Sequence, residues 1–466
     1  MRLGLDRLWL FLAVALPALA SLLVPLPAVD LAYGVRAGDA ILATGAIPAS
    51  DAWTFTVAGT PWVDQQWLAQ AVLAFLHSIG GWELLAVARA VAVTAAFGFV
   101  AAAAMARGAA PRTAAVLSLV AFALAAPALA LRPQLAAIVL FAALLWIVAG
   151  RELHPRRLWI APLLVVLWAN IHGSVVLAPL LLGTAWLEDL VARRPHRTAL
   201  AVLALGTLST FVNPFGAGVW GYAAGIGSSP AITGQVSEWQ RTSPLTVTGF
   251  LFYLSAAIVA ALAIRGRGRL PWPTLAWIAV LFALGAWTVR GLAWWPLGAA
   301  VAIVPLLPAG RRLRIPAPNR LNGVVVGVLG LAIVAALPWW RPVEPLTGRA
   351  GLLAYAPSGA ATALREVVTP GDRVFAPQEL GSWLEWAVPD ATYFADSRIE
   401  LFPADVWRDY DTIAAGGDGA ADLLDRYGVA WALVDRGSPL VARLTAAGWS
   451  TRVVDADWAI LGGGAH

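Results

Sequence analysis

The chain has 466 residues, of which 60% are hydrophobic and 13% charged, and its mean hydropathy is +0.73. This composition excludes an ordinary soluble globular protein, which is about half apolar and a quarter charged. The formal net charge of +5 rests entirely on arginine, and the absence of cysteine excludes disulfides and thiolate chemistry. Cytoplasmic loops of membrane proteins are rich in arginine, and we attribute the positive charge to such loops. We therefore expect no nucleic-acid partner.

Long apolar runs recur through the first 340 residues. Runs of about 20 apolar residues are long enough to cross a bilayer as helices. We therefore predict a mainly α, polytopic helical membrane protein with about 11 spans and the lipid bilayer as its solvent. The runs lie roughly at 8–29, 83–106, 113–131, 133–150, 158–170, 174–191, 198–213, 246–264, 272–289, 292–308 and 321–339.

The arginine clusters indicate how the spans are oriented. With the N-terminus inside, nearly every cluster of the apolar half falls on one side of the membrane, as expected for cytoplasmic loops. This predicts a cytoplasmic N-terminus and an extracytoplasmic C-terminal segment. The inside clusters are Arg2 with Arg7, Arg107 with Arg112, and the segments 151–157, 193–197, 265–269 and 311–314.

The first outer loop, 30–82, is long and rich in acids and tryptophans. Its candidate site acids are Asp30, Asp51 and Asp64. Asp30 stands out because an acid at the membrane exit of the first span is costly without a partner or a role. Trp62 and Trp67 are interpreted either as interfacial anchors or as residues that line a cavity. Residues 65–81 are too short and too polar at their edges to span, which favours an amphipathic helix at the interface.

A short unit follows between two inside clusters. Residues 158–192 are too few for two full spans, so we predict a short hairpin whose turn, 169–174, lies below the outer surface. Irregular backbone at that depth is tolerated against protein or a water-filled cavity. Asn170 and His172 are therefore candidate cavity-lining residues.

Two arginines lie outside, against the charge rule. Arg132 and Arg290 either bind phosphate, for which a guanidinium is suited, or form structural ion pairs with loop acids. The outer segment 212–244 contains Glu238, a further candidate cavity-lining residue, and is either a mobile cover over a cavity or an ordinary connector.

From about residue 340 the composition changes. Charged residues become frequent and the apolar runs shorten, so we divide the chain into a transmembrane domain, 1–340, and a small α/β extracytoplasmic domain, 341–466. In the run 393–403, Asp396 and Arg398 follow a predicted strand. They form either a site at the strand end or an ion pair that fixes the turn.

Several segments together resemble GT-C glycosyltransferases of bacterial membranes. The most specific match is the first loop, 30–70, with its D…G-x-I-P…D-x-W-T-F-T…G-x-P-W-V pattern. Later segments are also similar: "RPQL" (132–135), "WANIHGS" (168–174), "NPFG" (213–216), "SEWQ" (237–240) and "FADSRIELFP" (394–403). The resemblance implies a GT-C-like fold in a bacterial cytoplasmic (inner) membrane.

The resemblance also implies a reaction. Such enzymes transfer a sugar from a polyprenyl-phosphate-linked donor at the outer face to an acceptor glycan, lipid or protein. An acid of the first loop acts as base or metal ligand, which places that role on Asp30 first, with Asp51 and Asp64 behind it. A carboxylate can take the proton of an acceptor hydroxyl, and Arg132 and Arg290 can stabilise the leaving phosphate.

The chain departs from the family pattern at two places. Ala32, Tyr33 and Gly34 replace an aromatic-histidine motif, and Gln65 with Gln66 replaces a common His or Glu. The resemblance thus implies a divalent metal, Mg or Mn, but the residues of this chain do not identify a site for it. The departures favour a second hypothesis, a non-catalytic scaffold that binds a lipid carrier. A third is a transporter or flippase, which the broken hairpin allows.

Overall fold

The structure is a computed structural model that describes residues 3–228, 237–308, 318–453 and 456–463. Arg2, the arginine-rich segment 311–314 and part of the outer segment 212–244 fall outside these ranges. The chain forms two compact units, one of residues 1–24 and 86–340 and one of residues 25–85 and 341–466. The first loop, which the sequence analysis grouped with the transmembrane domain, belongs to the second unit.

The first unit is helical in its described residues. Its helices are α1 (Leu5–Leu23), the later part of α3 (Trp67–Ala106), α4 (Pro111–Ala125), α5 (Pro133–Ala149), α6 (Ala161–Ala169), α7 (Leu177–Val191), α8 (Arg197–Ser209), α9 (Gly218–Ser228), α10 (Val247–Arg265), α11 (Trp272–Trp287), α12 (Trp294–Ala302) and α13 (Arg320–Ala335).

Within the described residues, five helical segments are long and apolar enough to cross a membrane: Leu5–Leu23, Trp67–Ala106, Pro111–Ala128, Gly173–Val191 and Val247–Arg265. Four shorter apolar helices accompany them: Pro133–Ala149, Arg197–Ser209, Trp272–Trp287 and Arg320–Ala335. The protein is therefore a mainly helical, multi-pass membrane protein, and the count of about eleven spans stays a prediction.

Three buried charged residues of the first unit, Arg151, Glu188 and Asp189, pair with one another, which offsets the cost of burying charge. Arg151 donates to Asp189 from Nε (3.0 Å to Oδ2) and to Glu188 from Nη2 (2.9 Å). Glu188 also accepts from Arg107 at 3.2 Å and from the Thr274 hydroxyl at 2.6 Å. Arg107 and Arg151, which belong to the predicted inside clusters, thus take part in an ion network that links helices.

The second unit combines helices and strands. Its elements are β1 (Leu26–Pro27), α2 (Ala28–Thr44), the start of α3, β2 (Val343–Glu344), β3 (Gly348–Arg349), β4 (Leu353–Ala354), α14 (Ser358–Val367), β5 (Arg373–Phe375), α15 (Gln378–Ala387), β6 (Thr392–Tyr393), α16 (Ala404–Ala414), α17 (Ala420–Arg426), β7 (Trp431–Asp435), α18 (Pro439–Ala446), β8 (Ser450–Val453) and β9 (Trp458–Gly462).

A five-stranded sheet organises this unit, in the order β6-β5-β7-β9-β8. β5 is parallel to β6 and β7, whereas β9 is antiparallel to β7 and β8. Residues from the first loop continue the sheet beyond β6: Thr54 pairs in parallel with Tyr393, and Trp53 and Phe55 exchange backbone hydrogen bonds of 3.1 Å with it. Residues 53–55 of the first loop therefore add a single bridge at the edge of the sheet, and Phe55 and Val57 join the apolar core.

The helix over residues 28–44 was missed by the sequence analysis, which read this segment as loop. α2 packs beside the start of α3, and Gly38 permits the contact, because a Cβ there would lie 2.1 Å from the Gln70 carbonyl oxygen. α3 begins at Trp67, within the predicted interfacial segment 65–81, and is interrupted at Gly81, whose φ of 62° and ψ of −164° are not helical. Close helix packing thus places Asp30, in the first turn of α2, within the second unit.

Candidate functional site

The first unit holds a cleft between Arg132 and Arg290. Arg132 is the residue before α5, with extended backbone set by the following Pro133. Arg290 lies in the turn Val289–Ala293, which Thr288 caps by accepting from the Gly291 N–H. Gln134 donates to the Arg290 carbonyl at 3.4 Å. We name this feature the arginine cleft.

The carboxylate of Glu238 lies between the two arginines. Arg132 Nη1 donates to both of its oxygens, at 2.7 and 2.8 Å, and Arg290 Nη1 lies 3.8 Å from Oε2. Although burial raises the pKa of Glu238, the charges of Arg132 and Arg290 outweigh burial and lower it below its usual range. The Glu238 carboxylate is therefore ionised at neutral pH.

The rest of the cleft lining is mainly apolar. The cleft has an empty volume of about 450 Å³, part of it open to solvent. An apolar wall with two guanidiniums suits an amphiphile that carries an anionic group. Beside Arg132, Gln134, Glu238, Thr248 and Arg290, the lining residues are Leu124, Ala125, Pro127, Ala128, Ala130, Val289, Leu292 and Ala293.

His172 and Asn170 occupy the predicted short turn in the same unit. Asn170 donates to the carbonyls of Val166 and Val212, each at 2.8 Å, so its amide links the turn to the segment that follows α8. The His172 Nδ1 lies 2.8 Å from the Ser174 hydroxyl, and His172 is within electrostatic range of Arg290. The structure thus brings His172 near the arginine cleft and gives Asn170 a backbone-bonding role.

The second unit contains a buried ion triad of Asp51, Asp396 and Arg398. Arg398 donates to both carboxylates through Nη2, and to Asp396 also through Nε at 2.8 Å. The Asp51 carboxylate further accepts from the Thr54 hydroxyl at 2.7 Å and from the Thr54 backbone N–H at 3.1 Å. Asp396 and Arg398 therefore form the ion pair that was one of the two predicted alternatives. Asp51, from the first loop, is an additional partner of Arg398.

Two indoles enclose the Arg398 guanidinium. Its central carbon lies 4.5 Å from the Trp53 ring and 4.8 Å from the Trp62 ring, both in cation–π range. The two rings meet edge to face at 5.5 Å. Trp62 is thus a packing residue of the triad, whereas Trp67 is the partly buried first residue of α3.

Asp64 lies next to this triad in a buried polar patch. Its Oδ1 accepts from the Gln70 side-chain amide at 2.8 Å, while its Oδ2 is buried without a hydrogen-bond partner. Both side-chain polar atoms of Gln65 are likewise buried and unpartnered. Burial raises the pKa of Asp64 to about 7, against the opposing hydrogen bond from Gln70.

Asp30 differs from the other two loop acids because it is only partly buried. The residue before it is held by a hydrogen bond from the Ser397 hydroxyl to the Val29 carbonyl, at 2.9 Å. One turn along α2, the partly buried Tyr33 has a hydroxyl whose pKa is raised by burial and then by the charges of Asp30 and Glu400, among other acids. Asp30 therefore belongs to an acid cluster around Tyr33 that includes Asp64 and Asp396.

Glu385 is a buried acid that the sequence analysis did not single out. Both of its oxygens lack a hydrogen-bond partner, and burial followed by the nearby Asp396 charge raises its pKa well above the usual range. Its position inside the amphipathic helix α15, between Trp383 and Trp386, resembled a surface acid in the sequence, which gave no signal of burial.

The donor set does not fit a bound metal ion. Within the described ranges, no three or more His, Asp or Glu side chains are grouped so that they could hold one.

No family model matches the chain, and no curated protein matches it. Among solved structures, the archaeal oligosaccharyltransferase AglB from Archaeoglobus fulgidus, in complex with an inhibitory peptide and a dolichol-phosphate, aligns with a TM-score of 0.61 and 12% identity over 91% of this chain and 69% of AglB. ArnT from Cupriavidus metallidurans bound to undecaprenyl phosphate aligns with a TM-score of 0.52 and 17% identity over 97% of each chain.

The arabinofuranosyltransferase AftD from mycobacteria aligns with a TM-score of 0.57 and 21% identity over 100% of this chain and 42% of AftD. At such identities the similarity establishes the fold and not the activity. The chain has a GT-C-like fold, as the resemblance in its sequence predicted.

Proposed function

We propose that the protein is a glycosyltransferase that takes a sugar from a polyprenyl-phosphate-linked donor at the outer face of a bacterial cytoplasmic membrane. The observation that carries the proposal is the arginine cleft, where Arg132 and Arg290 converge within an otherwise largely apolar lining. A polyprenyl phosphate has the matching chemistry, an apolar chain that ends in an anion. The GT-C-like fold, shared with AglB, ArnT and AftD, supports the same reaction class.

The proposed reaction breaks the bond between the sugar C1 and the phosphate oxygen. The oxygen of an acceptor hydroxyl forms the new bond to C1, and its proton passes to a carboxylate of the chain. The lipid phosphate departs with the electron pair of the broken bond, so negative charge grows on it in the transition state. Arg132 and Arg290 stabilise that charge through forked hydrogen bonds.

Asp30 is the carboxylate proposed to accept the proton. A general base must reach the substrate hydroxyl, and Asp30 is partly exposed, whereas Asp51 and Asp64 are 3% and 2% exposed. The Asp51 carboxylate is also committed to Arg398 and Thr54. Asp51 and Asp64 are therefore assigned to holding the loop that presents Asp30.

The test is sugar transfer by the purified protein in liposomes with labelled polyprenyl-phosphate sugars. Asp30→Asn should lower transfer about 10²–10⁴-fold, the usual contribution of a positioned base. Asp39→Asn is the matched control, because Asp39 is a partly buried acid on the same helix, and it should retain transfer. Equal transfer by Asp30→Asn would remove the base role from Asp30.

A non-catalytic protein that binds a lipid carrier is the second candidate. The observation that favours it is that two of the three loop acids, Asp51 and Asp64, are buried in structural contacts. Binding of a polyprenyl phosphate without transfer from any sugar donor to any acceptor would support this candidate and contradict the enzyme.

A further inference from the structure

The anion that lies between the two arginines of the cleft is the protein's own. Glu238, on the turn Ser237–Trp239, places its carboxylate 2.7 and 2.8 Å from Arg132 and 3.8 Å from Arg290. These are the donors proposed to bind the lipid phosphate. A carboxylate and a phosphate compete for guanidinium groups because both accept forked hydrogen bonds.

The side chains involved have room to exchange partners. The side chains of Arg132, Arg290 and Glu238 are 22%, 24% and 34% exposed, so none is sealed in the interior. The Arg290 guanidinium also lies over the Trp239 ring, 5.4 Å from its centre. This contact holds the turn beside Arg290 independently of the Glu238 carboxylate.

Charge distinguishes the two lipids that the proposed reaction would bring to the cleft. Two guanidiniums and one carboxylate give these three side chains a charge of +1. A polyprenyl-phosphate sugar is a phosphodiester of charge −1, whereas the released phosphomonoester carries about −1.5 to −2 at neutral pH. Without Glu238, the charge of two guanidiniums would balance that of the monoester. With Glu238, the charge of the site balances that of the diester.

We propose that Glu238 competes with lipid phosphate for Arg132 and Arg290, and thereby favours the singly charged donor and expels the more highly charged product. The inference rests on the proposed function for the identity of donor and product. The ionised state of Glu238, held by the two arginines, keeps this competition active at neutral pH.

The experiment measures binding to the full chain in detergent by titration calorimetry. Farnesyl phosphate serves as the monoester probe and its methyl ester as the diester probe. Glu238→Gln should tighten farnesyl phosphate about tenfold and the methyl ester about threefold or less, because the lost repulsion scales with ligand charge. Glu238→Ala should act in the same direction, and Glu238→Asp should stay near the wild type.

Glu152→Gln is the matched control. Glu152 pairs with Arg194 in the first unit, is about half exposed, and does not line the cleft. Its substitution should change neither affinity. The decisive variant is whichever of Glu238→Gln and Glu238→Ala folds. If it binds farnesyl phosphate no more tightly than the wild type, the inference is overturned. Equal tightening of both probes would also overturn it.

Transfer activity separates this inference from the proposed function. Charge-dependent binding without any sugar transfer by the wild type would contradict the function and leave the competition in place. Sugar transfer without charge discrimination at Glu238 would contradict only the competition. Failure of every variant to bind either probe would overturn the inference, while the transfer assay would still decide the function.

Discussion

At the scale of single residues, Arg398 shows why a loop acid need not be catalytic. Its guanidinium bridges Asp51 and Asp396 and is 1% exposed in a surround of two indoles. Removing one partner of such a buried pair leaves uncompensated charge and costs about 3–5 kcal/mol. Loss of the Asp51 carboxylate should therefore destabilise the fold, which is a structural role.

Asp64 makes stability depend on pH. Its pKa rises from 3.8 to about 7 on folding, so between these values the folded chain holds a proton that the unfolded chain has released. The stabilisation from this protonated group is complete below pH 3.8. It decreases as the pH rises towards 7 and is absent above pH 7. Asp64→Asn keeps an oxygen for the Gln70 amide but cannot ionise.

We therefore expect Asp64→Asn to gain stability over the wild type as the pH rises from 4 to 8, by about 2–4 kcal/mol at the upper end. Thermal unfolding of the full chain in detergent across this range measures it. Asp418→Asn is the control, since the Asp418 side chain is 98% exposed. A gain that is constant with pH, or that shrinks as the pH rises, would contradict the assignment.

At the scale of elements, α2 was hidden from sequence reasoning because its stability is tertiary. Gly34 and Gly38 lower its intrinsic helix propensity. The structure uses Gly38 for close contact with α3, where a Cβ would lie 2.1 Å from the Gln70 oxygen and 2.6 Å from the Ala74 Cβ. The membrane helices were predictable because a long apolar run determines them locally.

The two glycines of α2 form a matched pair of substitutions. Gly38→Ala should destabilise the protein by about 1–3 kcal/mol, since backbone must move to admit the methyl group. Gly34→Ala meets only Leu73 Cδ1 at 3.9 Å and should be neutral or stabilising by up to about 1 kcal/mol. Equal melting temperatures for the two variants would show that α2 does not pack as closely as described.

At the scale of the whole molecule, the arginine distribution predicts which loops face the cytoplasm. Segment 151–157 is expected inside and residues 341–466 outside, because arginine is retained on the cytoplasmic side during insertion. The chain has no cysteine, so a single introduced cysteine reports its side of the membrane without background. Leu153 and Tyr355 are suitable positions because they are 70% and 64% exposed.

A membrane-impermeant maleimide added to intact spheroplasts should label the Tyr355→Cys variant and not the Leu153→Cys variant. Permeabilised membranes should give labelling of both. Labelling of Leu153→Cys in intact cells, with Tyr355→Cys protected, would invert the orientation and place the proposed chemistry on the other face.

The sequence by itself determined the features that depend on neighbouring residues. These are the membrane class, the position of most helices and the resemblance to GT-C enzymes. Transfer of apolar side chains into lipid adds up along a run, so local composition suffices. The sequence also indicated Arg132, Arg290 and Glu238 as candidate site residues.

Only the tertiary structure decided how distant side chains combine. It paired Asp51 with Arg398 across 347 residues, added residues 53–55 to the sheet, and placed Glu238 between two arginines. Burial of Glu385 and the raised pKa of Asp64 are likewise products of surroundings supplied by remote segments. Electrostatic free energies depend on distance and desolvation in three dimensions, which residue order alone does not specify.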